Sequence, residues 1–171
     1  MFGMLDGAHL HLLINHAPIF GSLFALLLLL ASFFVARNVL RLTAFAILIA
    51  TAPIAYVTQW SGEPAEDAIR GFPGVQRSVM HDHEEMGERA YLISIAVGVL
   101  ALAAVIYWRK RPVPVSATIV MTLAAGFATG AMMYTGLLGG RVRHTEVRPG
   151  AVEADAMTIE PRRQRPPQAT P

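Results

Sequence analysis

Four long stretches of the chain contain no Asp, Glu, Lys or Arg, and they restrict the possible folds more than any other feature. These stretches are Gly7–Ala36, Leu42–Gly62, Ala90–Trp108 and Pro112–Gly140. At ~1.5 Å per residue, a helix of ~19 residues crosses the ~30 Å hydrocarbon core of a bilayer. We therefore predict four transmembrane helices, with the lipid bilayer as the first partner of the chain.

The composition agrees with a membrane domain. The chain of 171 residues is 54% hydrophobic and only 15% charged, and its mean hydropathy is +0.46. By these values the chain is too apolar for an ordinary soluble domain of this length. The chain has no cysteine, which excludes disulfides, thiolate metal sites and iron–sulfur clusters. Its few basic residues lie in short loops and a tail, which argues against a nucleic-acid partner.

The loops differ sharply in charge, which predicts an orientation. The loops at Arg37–Arg41 and Arg109–Arg111 hold four arginines and one lysine but no acid. If all four stretches cross, the other side of the membrane holds all twelve acids and all six histidines. The positive-inside rule then places both termini on the outer, periplasmic side of a bacterial inner membrane. The arginines of the C-terminal tail count against this orientation, whereas the first span favours it.

The third span is preceded by a histidine-bearing and acidic segment, which begins at His81. The helix should therefore extend above the membrane. A step of 100° per residue aligns His83 with small residues, whereas it aligns His81 with glutamates. The small residues are Gly87, Ala90, Ser94, Gly98 and Ala101, and the glutamates are Glu84, Glu85 and Glu88. We expect His83 to point into the bundle and His81 to point towards water.

The N-terminal segment carries three more histidines. Asp6 is a suitable N-cap for a helix in which His9 and His16 share one face and His11 lies opposite. Pro18 predicts a break near residues 15–17, because proline removes a backbone donor and crowds the preceding turn. We expect His16 to face inward.

Two further patterns concern the C-terminal part of the chain. The fourth span contains Gly126 and Gly130, a small-xxx-small pattern that predicts close helix packing. Residues 150–171 are rich in Pro, Arg and Gln and predict a flexible tail. The predicted domains are thus residues 1–149, a four-helix transmembrane domain with a histidine-rich outer face, and the tail, residues 150–171.

The histidines are the only convincing reactive set. A single one would usually be an interfacial or solvated side chain, but the set favours haem b held between His16 and His83. His9 and His144 are the substitute ligands, and Arg141 and Arg143 are suited to the haem propionates. The small-residue stripe below His83 would leave room for a flat macrocycle. Because the chain lacks a C-x-x-C-H motif, covalent attachment is excluded.

A mononuclear metal site is the rival interpretation. Its candidate ligands are His81, Glu84, Glu85 and Glu88, on one predicted helix face. The alternative for this face is a solvated acidic surface, which we favour because the glutamates repel one another. The chain contains no nucleophile motif and no phosphate-binding loop, so the sequence predicts no catalytic residue and leaves enzyme activity open.

Four segments, NHAPIFG, SGEPAED, HDHEEMGERA and YTGLLGGRVRHTEV, resemble a family of bacterial four-helix inner-membrane proteins without a settled activity. More distantly, the chain resembles a domain family of unknown function with a His-Phe-Pro-like motif on helix 1 and a Gly-Gly…Arg-His motif after helix 4. The matching positions are His16, Pro18, Gly139, Gly140, Arg143 and His144, and His81 or His83 matches a histidine of the third helix. Ala17 stands where the broader family tends to have an aromatic residue. The resemblance covers residues 9–150 and implies the topology and the histidine set, but no reaction.

These observations predict an all-α fold, an integral membrane four-helix bundle with both termini outside. The predicted function is haem b binding for electron transfer, in a subunit of a respiratory or photosynthetic complex with other membrane-protein subunits as partners. Two alternatives stay open: a non-redox structural or assembly subunit of a membrane complex, and a divalent-metal-binding membrane protein.

Overall fold

The computed structural model describes residues 6–35 and 37–149, and this part of the chain is helical, without a β-strand. It contains six α-helices and one short 3₁₀ helix. They are α1 (Gly7–Ile14), α2 (Ala17–Ala31), α3 (Arg37–Trp60), α4 (Gly62–Ile69), α5 (Arg77–Trp108), α6 (Val115–Arg143) and the 3₁₀ helix Thr145–Val147. The predicted tail, residues 150–171, lies outside the described residues.

Four helical segments are long and apolar enough to span a membrane, which confirms the predicted number of spans. They are Gly7–Ala31, Asn38–Ile69, Arg77–Trp108 and Val115–Arg143. The third has 32 residues, about 48 Å at ~1.5 Å per residue, and therefore exceeds a ~30 Å hydrocarbon core. Its excess length is at the histidine-bearing end, where its first turns carry most of the charged residues.

The N-terminal span is divided in two, as proline chemistry predicts. The Asp6 side chain caps α1 by accepting a hydrogen bond from the backbone N–H of His9 at 2.8 Å. α1 ends at Ile14, and α2 begins at Ala17 with Pro18 in its first turn. Proline is tolerated there because the first helical N–H groups have no partner within the helix. Both the cap and the break are confirmed.

α4 is a short helix between the second and third spans, and it packs mainly against α1. A Cβ built on Gly7 would lie 2.5 Å from Cβ of Pro64, so the two short helices approach closely. After α4, Gly71 and Gly74 adopt φ angles of 87° and 83°. Glycine adopts such angles without a steric penalty, which is why the chain can turn here into α5.

The four long helices form a bundle in which α2, α3, α5 and α6 follow one another around the axis and α6 closes against α2. Small residues allow close contacts on two sides of α3. Gly21 of α2 lies against the Thr51 hydroxyl, and a Cβ on Gly98 of α5 would stand only 2.7 Å from Cβ of Ala52. Between these contacts the core is formed by alanines with a few large residues such as Phe45 and Leu29.

The predicted packing of Gly126 and Gly130 on α6 is wrong. Gly130 is exposed, and nothing lies within 4 Å of a Cβ built on it. A Cβ on Gly126 would only touch Leu26, at 3.9 Å. The small residues of α6 that face the core are Ala125 and Ala128 instead, so α6 is rotated away from the face that its glycine spacing indicated.

Candidate functional site

A cavity of about 1210 Å³ lies at the histidine-bearing end of the bundle. Residues of all six described α-helices line it, and α2 contributes only Pro18 and Ile19. Apolar side chains such as Ile69, Met132 and Tyr91 form part of its wall. Its volume lies somewhat above the ~300–1,000 Å³ that is common for ligand sites, so it has room for a small molecule or cofactor.

His83 of α5 projects into this cavity, as the helical periodicity predicted. Its ring is half-buried, and Nδ1 donates a hydrogen bond to the backbone carbonyl of Thr135 at 3.0 Å. Thr135 also contacts α5, because its hydroxyl donates a hydrogen bond to the backbone carbonyl of Met86 at 3.3 Å. The His83 ring is therefore held where α5 and α6 meet. His81 is exposed, which confirms its expected direction.

His11 of α1 lines the same cavity, although the sequence pattern placed it on the opposite face from the inward one. Its Nδ1 donates to the backbone carbonyl of Thr58 at 3.0 Å. The hydroxyl of Ser61, a fully buried residue, lies 3.3 Å from the same nitrogen. The imidazole is thereby attached to the end of α3.

The two histidines share one protonation arrangement. A carbonyl oxygen can only accept a hydrogen bond, so Nδ1 must carry the proton in both rings. In a neutral imidazole this leaves Nε2 unprotonated, with a free lone pair. The rings of His11 and His83 line one cavity. The site therefore offers two unprotonated nitrogens, Nε2 of His11 and Nε2 of His83, that are available as metal ligands.

A glycine-rich part of α6 makes room for the His83 ring. A Cβ on Gly139 would lie 2.9 Å from Cε1 of His83, closer than ordinary contacts allow. The neighbouring Gly140 has nothing within 4 Å of such an atom. The two glycines therefore differ. A side chain at Gly139 would clash with the imidazole of His83, whereas a side chain at Gly140 would meet open space.

The other predicted histidine ligands lie at the edge of the cavity or away from it. His16 is exposed at the cavity wall, next to the Asn15 side chain, so the expectation that it faces inward is wrong. His9 is exposed and lies 2.8 Å from a carboxylate oxygen of Asp6. His144 is exposed at the rim, with Nδ1 2.9 Å from Glu146. The backbone N–H of Glu146, followed by His144, holds the pKa of the Glu146 carboxyl below its ordinary value.

The two predicted propionate partners are separated by the structure. Arg143 lines the cavity, and its guanidinium lies 5.5 Å from the ring centroid of Phe72, another lining residue. Arg141 is half-buried, and its backbone carbonyl accepts a hydrogen bond from Nε of Arg148 at 2.8 Å. Of these two arginines, only Arg143 lines the cavity, where it can meet an anionic group.

The small-residue stripe below His83 does not leave the predicted space. Only Gly87, its first member, lines the cavity. Ala90, Ser94 and Ala101 are buried, and Gly98 is packed tightly against α3. The available room lies above this stripe, between α4 and the upper parts of α5 and α6, so the expectation about the stripe is wrong.

The acidic face of α5 does not form a ligand set. His81, Glu84, Glu85 and Glu88 are all exposed, and Glu85 pairs with Arg89 one turn further on. Throughout residues 6–35 and 37–149, no three His, Asp or Glu side chains converge closely enough to hold a metal ion. In this part of the chain the face is a solvated acidic surface.

His11 lines the cavity but is not among the predicted site residues, although a pattern in the sequence contains it. His11, Pro18 and Ala25 are spaced by seven residues, and Ser22 and Leu29 continue the same stripe. The last four of these residues are buried, so the stripe marks the inward face of the first span. The spacing between His9 and His16 identifies a shared face but not its direction.

Four membrane-length apolar helices define the class: a multi-pass helical membrane protein. Comparison of the chain with protein-family models, with curated proteins and with solved structures finds no match in any of the three. The resemblance to a four-helix inner-membrane family therefore stays a prediction.

Proposed function

We propose that the protein binds haem b in the cavity and carries electrons at the outer face of a membrane. The observation that supports this most is the pairing of His11 and His83. Both rings line one cavity, and a backbone carbonyl fixes each with Nδ1 protonated. Metal-binding histidines usually have this arrangement, in which the second ring nitrogen donates to a carbonyl or carboxylate.

The donor set fits haem better than it fits a free metal ion. Two imidazoles are a sufficient protein ligand set for haem iron, whereas structural zinc requires four ligands and catalytic zinc three. The cavity also has apolar walls, formed in part by Ile69, Tyr91 and Met132, against which a macrocycle can pack. Arg143 can form a charge-assisted hydrogen bond with a propionate. The predicted divalent-metal site has no comparable support.

Each residue has a defined task in this proposal. His11 and His83 would hold the haem iron through Nε2, and the carbonyls of Thr58 and Thr135 would keep those nitrogens unprotonated and fix the two rings. Gly139 keeps space for the His83 ring. Haem b, when bound, supplies one-electron oxidation and reduction at its iron.

The location belongs to the same proposal. The charge asymmetry of the loops supports a bacterial inner membrane, with the cavity and both termini on the periplasmic side. An electron carrier at that face exchanges electrons with other proteins, which supports a role as a subunit of a respiratory or photosynthetic complex.

An absorption difference spectrum tests this proposal. The full chain is purified in detergent from cells that make haem, and the dithionite-reduced spectrum is compared with the oxidised one. We expect approximately one haem per chain with a low-spin spectrum, as two nitrogen ligands produce. Protein that stays free of haem after such growth, and after incubation with added haem, would contradict the proposal.

A second candidate, a non-redox assembly subunit, is favoured by one observation on α6. Gly126 and Gly130 lie on a face with little or no contact inside the chain, so a helix of another protein can approach their backbone closely. Cysteine placed at residue 130 would form crosslinks with a partner subunit in membranes if this face is an interface. If no crosslink forms there, the candidate loses its support.

A further inference from the structure

A second unusual site lies at the opposite end of the bundle from the histidines. Arg41, one turn into α3, is only 4% exposed. Its Nη1 donates to the backbone carbonyl of Val113 at 2.7 Å, and Nε lies 3.4 Å from the hydroxyl of Ser32. Arg41 therefore connects the end of α2, the beginning of α3 and the segment that leads into α6.

Neighbouring polar groups reinforce this connection. The side chain of Asn38 accepts a hydrogen bond from the backbone N–H of Val113 at 2.9 Å. The Ser32 hydroxyl donates to the carbonyl of Leu29 at 2.7 Å, so its lone pairs remain available to Arg41. Both hydrogen-bond acceptors of Arg41, a carbonyl and a hydroxyl, are neutral.

The positive charge of Arg41 has no acidic partner within the described part of the chain. No carboxylate there lies within 4.0 Å of its guanidinium. Its Nη2 also makes no hydrogen bond to the described residues, yet it is not among their fully buried unpaired atoms. Burying a charge without an opposite charge is costly, and an arginine retains its proton under all ordinary conditions. An external anion would supply the missing charge.

The surroundings indicate that this anion comes from the membrane. Tyr107 and Trp108 pack edge to face at 4.9 Å near the end of α5, and such aromatic residues favour the membrane interface. Arg111 lies 4.5 Å from the centroid of the Tyr107 ring. Residues 109–111 are all basic, so this end of the bundle attracts anionic headgroups.

We infer that Arg41 is the centre of a binding site for an anionic phospholipid, whose phosphate accepts hydrogen bonds from the Nη2 edge of the guanidinium, which makes no hydrogen bond to the described residues. Arginine is suited to this task because its planar fork matches a phosphate, whereas lysine provides only a point charge. The bound lipid would neutralise Arg41 and stabilise the contact between α3 and Val113. This site is independent of haem, and its test does not depend on the haem proposal.

The test uses the full chain, purified in detergent and supplied with defined additives. Phosphatidylglycerol should raise the midpoint of thermal unfolding by about 2–4 °C, the shift that a modest binding free energy gives for a chain of this size. Phosphatidylcholine and inorganic phosphate at equal concentration should leave it nearly unchanged. Native mass spectrometry should show one phosphatidylglycerol retained after the bulk of the detergent is removed. Equal effects of phosphatidylcholine would overturn the proposal, and equal effects of inorganic phosphate would assign the site to a free anion instead of a lipid.

Two variants distinguish this site from the general positive charge of that end. Arg41→Lys retains the charge but lacks the fork, and it should lose most of the phosphatidylglycerol effect. Arg111→Gln, which removes an exposed charge at the same end, should keep it. Retention of the full effect in Arg41→Lys would overturn the inference, and so would an equal loss in Arg111→Gln. If Arg41→Lys fails to fold, the comparison of lipids on the wild-type chain and on Arg111→Gln still decides between these outcomes.

Discussion

The imidazole of His83 lies so close to Gly139 that a Cβ at this position would stand 2.9 Å from Cε1 of the ring and 3.3 Å from Nδ1. Nδ1 is the atom that donates to Thr135. The orientation of the predicted ligand therefore depends on the absence of a side chain one turn away on α6. Any residue with a Cβ at position 139 would therefore press against the His83 ring.

Gly139→Ala should consequently displace the His83 ring and weaken haem binding, whereas Gly140→Ala should not. Nothing lies within 4 Å of a Cβ on Gly140, and alanine in a helix interior adds about 0.5–1 kcal/mol of stability relative to glycine. The haem content per chain and the thermal midpoint of both variants provide the measurement. Equal haem content in the two variants would show that the Gly139 contact does not position the ligand.

A second pair of glycine variants tests the packing of the bundle. In Gly98→Ala the new methyl group would meet Cβ of Ala52 at 2.7 Å and the carbonyl oxygen of Leu48 at 3.3 Å. We expect a loss of about 1–3 kcal/mol in unfolding free energy from this overpacking. Gly130→Ala, whose Cβ meets open space, is the matched control and should be neutral or stabilising. The reverse order in denaturant unfolding would contradict the helix rotations described above.

The N-cap of α1 should lose strength in acid. The backbone N–H of His9, followed by its side chain, holds the pKa of Asp6 below its ordinary value of 3.8. A carboxyl with a lowered folded-state pKa contributes stability that is present above that ordinary value and lost as pH falls through the folded-state pKa. Amide protection factors in α1 should therefore fall below pH 4. Asp6→Asn, which caps without titrating, should remove this dependence; an unchanged acid response in that variant would refute the assignment.

The orientation of the chain is open to a direct test. Reporter fusions at Asn38 and Pro112 should show cytoplasmic activity, and a fusion after Gly150 should show periplasmic activity. The reason is that the basic loops at these two positions contain no acid. A periplasmic signal at Asn38 would show that the chain has the opposite orientation, with the histidine cavity on the cytoplasmic side.

Local chemistry made much of the fold predictable. The uncharged stretches define the four spans, Asp6 begins α1, and Pro18 separates α1 from α2. Each of these features depends on a backbone requirement that can be recognised from neighbouring residues alone. The direction of His83 was also predictable, because α5 is one continuous helix and its small residues indicate the packed face.

The remaining features of the fold and of the site could not be predicted from the sequence, because they depend on tertiary contacts. Whether His11 or His16 faces the cavity depends on how α1 packs against α4 and the end of α3. The direction of Gly130 depends on the rotation of α6, which its buried alanines and Met121 determine. A glycine pair with the correct spacing is compatible with either a packed or an exposed face, so spacing alone gave the wrong result.

If His11 and His83, and not His16, hold the haem, the haem spectra of three single variants distinguish them. His11→Ala and His83→Ala should each lose the low-spin spectrum, because one of the two histidine ligands is removed. His16→Ala should retain it, since its exposed ring lies at the edge of the cavity. Loss of the low-spin signal in His16→Ala with retention in His11→Ala would contradict the account.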